Sequence, residues 1–259
     1  QIILQCNVED DMQGLPEYAI KNHGCEAIEF KFGQSAKGVQ PARICKGGYE
    51  EALKKQASGL IVRPDPSTPE MKKKFEEGCC PNFYAYDRLP LWDTKFMVNR
   101  VKELKAMGLK NVYFKMAGYA PKDLETVLRI AAMAGVDMVT FDGAGGGSGY
   151  SPNKMMNEWA YPTVCMEVAV ADIVNKLEDE GLEMPAITIT GGIATEDQAY
   201  KAIALGDGHV TAIGLCRASM AAAMSGKKIG DMIKTGDVPA RYKQYGNTVQ
   251  EIFADLADL

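Results

Sequence analysis

The 259-residue chain is poor in histidine and tryptophan, with two of each, and only 8% of it is aromatic. His23 and His209 lie far apart, and no His/Cys spacing of the zinc type occurs, so no metal site is expected. No sequence marks a nucleophile elbow for a Ser-His-Asp arrangement. Apolar runs all fall short of the roughly 18–20 residues that span a bilayer. The start, Gln1 to Cys6, lacks both a basic segment and a small-residue cleavage site. It also lacks an initiator Met, so a fragment of a longer chain is expected. No Lys/Arg block suggests a nucleic-acid face: Lys72-Lys73-Lys74 adjoins Glu76 and Glu77 and reads as a solvated helix face, and the net charge is -5. The cysteines number seven (Cys6, Cys25, Cys45, Cys79, Cys80, Cys165 and Cys216), odd and scattered, which suits reduced thiols rather than a disulfide framework. These absences predict a cytoplasmic protein with neither membrane nor nucleic-acid partners.

What the chain does contain is alternation. Its length and 46% hydrophobic content fit one α/β domain of barrel size, residues 1–259. Nearly continuous apolar runs predict strands at Ile2–Cys6, Ala27–Phe32, Leu60–Arg63, Val112–Met116, Met138–Phe141, Ala186–Thr190 and His209–Ile213. Helical patterns occupy Thr94–Met107, Pro121–Ala134, Thr163–Glu180 and Thr195–Leu205. In the first, Phe96, Val98, Val101, Leu104 and Met107 form one apolar stripe. Asp123 after Pro121, and Thr195 with Asp197, are helix starts, and Gly108, Gly135, Gly181 and Gly206 are stops.

The repeated order of helix, glycine and strand predicts parallel strands with right-handed crossovers. A doubly wound sheet would satisfy that pattern too. Glycine signals at several successive strand ends favour a (β/α)8 TIM-type barrel, with about seven strands found and one or more expected upstream. Five prolines crowd Arg63–Leu91, so 63–93 is expected to be an irregular excursion over the barrel mouth. The tail, 226–259, reads as helical.

The chemistry concentrates at the strand ends. Asp142-Gly-Ala-Gly-Gly-Gly-Ser-Gly149 follows a strand and holds five glycines in eight residues. Glycine loses much backbone entropy on folding, so such a run implies close backbone approach to a flat ring or an anion. Gly191-Gly192 ends the next strand and Gly214-Leu215 the one after, just before the helical Arg217–Met224. Barrels commonly hold phosphate at the last two strand ends, with main-chain N–H groups and a helix N-terminus as donors. Lys115, inside the apolar strand Val112–Met116, needs a partner if buried. Beside a flavin ring its ammonium would stabilise the negative charge that develops on reduction. Lys31 sits in a similar strand setting.

The segments Glu17-Tyr18, Ile28-Glu29-Phe30-Lys31-Phe32-Gly33-Gln34-Ser35-Ala36-Lys37-Gly38, Val112–Met116, Asp142–Pro152, Gly191-Gly192 and Ile213-Gly214 together resemble the FMN domain of glutamate synthases. Gly-Gly-Ser-Gly-Tyr-Ser-Pro152 is the most specific part, and the likeness covers about four-fifths of the chain, Pro16 to Arg217. The resemblance implies an FMN-containing barrel that reduces 2-iminoglutarate to glutamate. It implies that Gln34 and Lys115 contact the flavin ring, that Lys37 faces substrate carboxylates, and that Lys115 and Lys37 are the catalytic pair. Asp142, Gly146, Gly147 and Ser148 would form one wall of the flavin site, and Gly191, Gly192, Gly214 and Leu215 the phosphate cradle. Lys37 or Arg43 would anchor a carboxylate.

Two departures stand out. The loop after Lys37 is short, and only Cys216 stands where the family carries three cysteines, which implies that the iron–sulfur cluster is absent. Electrons would then come from a partner protein or a reduced nicotinamide. An ammonia-supplying partner and an oligomeric state are also expected. Two other readings remain open. One is a non-enzymatic FMN-binding subunit of a larger complex. The other is an inosinate-dehydrogenase-like barrel, with Cys165 or Cys79/Cys80 as the catalytic thiol.

Overall fold

In the computed structural model, residues 2–32, 43–86, 94–146, 157–158, 160–237, 240–244, 246, 248 and 250–251 are described. The chain opens with β1 (Leu4–Cys6), α1 (Val8–Met12), α2 (Leu15–His23) and β2 (Ala27–Lys31). An insertion follows, with β3 (Arg43–Ile44), α3 (Gly48–Ala57), β4 (Ile61–Arg63), α4 (Pro69–Glu76) and β5 (Tyr84–Tyr86). The alternating array then resumes as α5 (Thr94–Ala106), β6 (Asn111–Ala117), α6 (Pro121–Ala134), β7 (Met138–Asp142), α7 (Thr163–Asp179), β8 (Ala186–Thr190), α8 (Glu196–Leu205) and β9 (Val210–Gly214). It ends in α9 (Arg217–Thr235) and α10 (Ala240–Lys243).

The central sheet has six parallel strands in the order β1-β2-β6-β7-β8-β9. Each new strand adds on the same side as the last, with no reversal. A doubly wound sheet reverses direction and carries helices on both faces, so that alternative falls. Helices α5, α6, α7 and α8 pack consecutively against one another. This is the singly wound arrangement of the (β/α) barrel class, with β1 and β9 as the outermost described strands.

The two faces of the sheet differ chemically. Toward the helices point Ile28, Phe30, Val112, Phe114, Val139, Phe141, Ile187 and Ile189, all within 2% of full burial. They meet Val101 and Leu104 of α5, Leu124 and Leu128 of α6, and Met166, Val170 and Leu177 of α7 in one core. The opposite face carries Glu29 and Lys31 on β2, Tyr113 and Lys115 on β6, Thr140 and Asp142 on β7, and Thr188 and Thr190 on β8, one residue out of step with the apolar set.

The elements form where propensity and punctuation agree. Pro121 opens α6 and Gly135, in the left-handed region at φ 68°, closes it. The side-chain oxygen of Gln198 accepts from Ala194 N at 2.8 Å and from Thr195 N at 3.3 Å at the start of α8.

Two expectations are corrected. The run expected as a barrel strand at Leu60–Arg63 forms β4, which pairs antiparallel with β5 in a separate three-stranded sheet of order β3-β5-β4. Only its middle residue, Val62, is buried, the pattern of a half-covered antiparallel strand rather than a doubly covered parallel one. The proline-rich stretch expected to be irregular contains α4 and β5. Thr68 caps α4 by accepting from Met71 N at 3.3 Å. Cys45, Tyr49, Ala52, Val62, Met71, Phe83 and Ala85 give this lobe its own small core, with Tyr49 stacked on Phe75 at 4.5 Å.

Arg100 of α5 ties the start of the chain to the helical layer. It reaches Asp11 at 2.7 Å and Glu17 at 2.6 Å, and its side chain is 12% exposed. Burial raises the Asp11 carboxyl despite Arg100, whereas the hydrogen bond from Arg100 lowers that of Glu17. Removing one member of such a buried cluster leaves charge uncompensated. Arg100→Met is therefore expected to destabilise the protein by about 3 kcal/mol, read from the urea midpoint. Lys201→Ala, which breaks the exposed pair with Asp197, should change it by less than about 0.5 kcal/mol.

Candidate functional site

A cleft of about 750 Å³ opens where β6, β7, β8 and β9 end. The strands are parallel, so these are all C-terminal ends, the face on which barrels build their sites. Lys115, Asp142, Gly145, Gly146, Gly191, Gly192 and Gly214 line it together with Thr190, Cys216 and Arg217.

Lys115 and Asp142 reach the cleft from the polar sheet face. Lys115 pairs in register with Lys31 and Thr140, and Asp142 with Ala117 and Thr190 one row nearer the mouth. The Lys115 ammonium stands 3.9 Å from the Asp142 carboxylate, with the side chains 17% and 3% exposed. A charge pair in so dry a setting keeps its Coulomb attraction far better than a surface pair.

The glycines pack closely, Gly145 against the main chain of Gly191 and Gly192 and Gly214 against the Thr190 side chain. A single 3-10 turn, Ala144–Gly146, follows β7. A Cβ on Gly145 would lie 2.6 Å from Gly192 Cα, and one on Gly214 2.7 Å from Thr190 Cβ. Gly191 and Gly192 hold φ of 121° and 85°, which L side chains rarely adopt. Hydrogen bonds tie the loops into one unit. Gly143 N donates to Thr190 O at 2.9 Å and Ala144 N to Tyr161 O at 3.0 Å. The Thr163 hydroxyl donates to Gly191 O at 2.7 Å and that of Thr190 to Gly214 O at 3.0 Å. Arg217, in the first turn of α9, donates from Nη2 to Gly145 O and so links the two sides of the cleft. Its charge and the N-terminus of a 19-residue helix favour an anion there.

Of the residues singled out in the sequence, the cleft unites Lys115, Asp142, Gly146, Gly191, Gly192 and Gly214. Leu215 is not among its lining residues; its side chain is 49% exposed, and Cys216 and Arg217 line the cleft beside it. Gln34, Lys37, Gly147 and Ser148 lie outside the described residues. Arg43 falls in β3 of the small sheet, and its side chain also lies outside them. Cys165 and Cys79 are exposed, and Cys80 packs on the small core; among the described lining residues the one cysteine is Cys216. Buried Cys6 has its thiol pushed up to about 12, first by burial and then by Asp10 and Asp11.

Sequence reasoning missed Thr163 and Arg217. Arg217 carried a signal, a cation three residues after a glycine strand end and at the start of a helical run. Thr163 carried none, because its bond spans 28 residues. No group of three His, Cys, Asp or Glu side chains able to hold a metal occurs among the described residues, and no described helix is long and apolar enough to cross a membrane.

Fold and cleft define an α/β protein of the barrel class whose strand ends carry a glycine-lined cleft. The family model for the conserved region in glutamate synthase matches residues 89–227, just over half of the chain, and the chain belongs to that family. It is 34% identical over 181 residues to the archaeal-type glutamate synthase (NADPH) of Dehalococcoides mccartyi, covering 69% of this chain and 32% of that protein. With the archaeal glutamate synthase (NADPH) of Archaeoglobus fulgidus it shares 36% identity over 193 residues, 74% of this chain and 33% of that one. The chain thus spans about a third of the length of these relatives. Among solved structures, an aldolase, QR15, aligns over 82% of this chain and 88% of its own at 11% identity, with a TM-score of 0.33, too low to bear on function.

The Thr163 hydroxyl fixes the Gly191 loop, so Thr163→Val is expected to lower stability by about 1 kcal/mol, and Thr163→Ser to retain most of it. Paired urea melts of the two variants would check this, and equal losses would contradict the role given to the hydroxyl.

Proposed function

We propose that the chain is the flavin-binding part of an FMN-dependent oxidoreductase of the glutamate synthase type, acting on an imine or 2-oxo acid. The observation that carries this reading is the cleft itself: a cation on the polar sheet face, a backbone-lined wall and a helix N-terminus with an arginine, all at the C-terminal ends of four strands. The residues suit the group, because a Cβ on Gly145 would collide with Gly192, so this wall of the cleft is main chain that a planar ring could approach. When bound and reduced by an external donor, FMN would supply a hydride for the electrophilic carbon of the imine or ketone.

The chain's own residues provide the surroundings. The main-chain N–H groups of Gly191, Gly192 and Gly214, the α9 N-terminus and Arg217 would hold the phosphate. Lys115 would place its ammonium at the pyrimidine edge of the ring, where charge accumulates on reduction. Asp142 holds Lys115 from the side and keeps it oriented. Gln34 at the ring and Lys37 or Arg43 at the substrate carboxylate complete the proposed set, with Lys37 facing the substrate. The flavin wall would continue from Asp142 and Gly146 through Gly147 and Ser148. Reducing equivalents would come from a partner protein or a nicotinamide, without an iron–sulfur cluster in this chain, in a cytoplasmic assembly.

An absorbance spectrum from about 300 to 700 nm tests the cofactor. The expected protein is yellow and releases FMN on denaturation; a colourless preparation that takes up no added FMN would overturn the reading. Lys115→Met should weaken FMN binding roughly tenfold, on the order of 1.4 kcal/mol for one lost charge-assisted contact, as measured by quenching of flavin fluorescence.

A further inference from the structure

Glu167 has no part in the cleft wall, yet it is 1% exposed in the second turn of α7. Its Oε1 is fully enclosed and has no hydrogen-bond partner. Residues four apart on a helix stack on one face about 6 Å apart, with side chains tilted toward the N-terminus. Glu167 therefore lies one turn below Thr163, whose hydroxyl holds the Gly191 carbonyl and whose side chain fills the space beside Gly143.

Among the described residues, the elements packed on α7 bring no charge that offsets the burial of Glu167. On α6, Glu125 and Arg129 are engaged with Lys176 at 2.9 Å and with Glu180 at 2.6 Å, at the other end of α7. On α8, Asp197 and Lys201 pair with each other at 2.9 Å in solvent, Tyr200 is 75% exposed, and Glu196 is exposed in the first turn. The helix-facing side of β7 and β8 presents Val139, Phe141, Ile187 and Ile189. Burial alone accordingly raises the Glu167 carboxyl to about 7.

We propose that Glu167 is a positioning residue that makes oxyanion binding in the glycine cleft depend on proton occupancy. With its proton, Glu167 is a neutral filler beneath the Thr163–Gly191 contact, and the loop N–H groups meet an oxyanion without opposition. Without it, a buried negative charge stands one helical turn from the Thr163–Gly191 contact; at a charge separation on the order of 10 Å and an effective dielectric near 20 it would weaken oxyanion binding roughly tenfold. The inference rests on the reading that the cleft holds a phosphate group, and the experiment separates the two.

Sulfate keeps a constant charge through neutral pH, so its thermal stabilisation of the full chain serves as one probe and the fluorescence-read FMN dissociation constant as the other. Both are measured from pH 5.5 to 8.5 for the native protein and for Glu167→Gln. FMN gains phosphate charge over part of this range, which the ratio between the two proteins cancels. Anion affinity of the native protein relative to Glu167→Gln is expected to fall about fivefold from pH 6 to 8, most of the tenfold span between the fully protonated and fully ionised carboxyl. A sulfate effect with that profile but no FMN binding would uphold the role of Glu167 and sink the flavin reading. A ratio that stays flat with pH, or the absence of any anion binding in both proteins, would overturn the proposal. Should Glu167→Gln fail to fold, a carbon-13 titration of the native Glu167 carboxyl decides the matter. A midpoint near 7 that moves upward on saturation with sulfate supports the proposal, and a midpoint unmoved by sulfate overturns it.

Discussion

Contact between two stretches of bare main chain organises the rest of this molecule. The loop after β7 and the loop after β8 approach so closely that a Cβ on Gly145 would sit 2.6 Å from Gly192 Cα. That approach brings the ends of neighbouring strands into one cleft, and the bonds from Gly143 and Thr163 hold it. Side chains could not replace it. A substituent on Gly145 would push the loops apart, and one on Gly192 would be strained by its φ of 85°.

The sheet below has its polarity divided by face. Its helix side is apolar throughout and supplies the hydrophobic stabilisation of the array. Its other side is lined by Glu29, Lys31, Tyr113, Lys115, Thr140 and Thr188. Barrel interiors are usually filled by branched apolar residues, so this face departs from the packed norm. Stability is built on one side and chemistry on the other, and the alternation of the strand is enough to separate them. Lys115 therefore stands in a polar row while Phe114 and Met116, its chain neighbours, complete the core.

Much of this was legible in the sequence, because the central strands and helices carry strong local signals. Ala186–Thr190 and Pro121–Ala134 form over the residues their patterns predict, and the other central elements differ by one or two positions. Six of the residues singled out for the site converge because four glycines, a lysine and an aspartate at parallel strand ends share one rim by topology. The small lobe was less legible. β3 has two residues and β4 three, too short for a period to show, and the prolines around them mask a helix that Thr68 caps. Thr163 and Glu167 were invisible for another reason: nothing local distinguishes either from an ordinary helical residue. Their significance arises only when α7 lays them against the loops of other strands.

The two hydrophobic clusters have no residue in common. Tyr49, Val62, Met71 and Phe83 belong to one, and Phe30, Phe114, Phe141 and Ile189 to the other. Cooperativity travels through shared packing, so among the described residues the core of the lobe between β2 and α5 is built separately from the core beneath the strand ends. The same independence lets that lobe drift, lengthen or be exchanged over evolutionary time, while the loops that follow β7 and β8 stay bound by their lack of side chains.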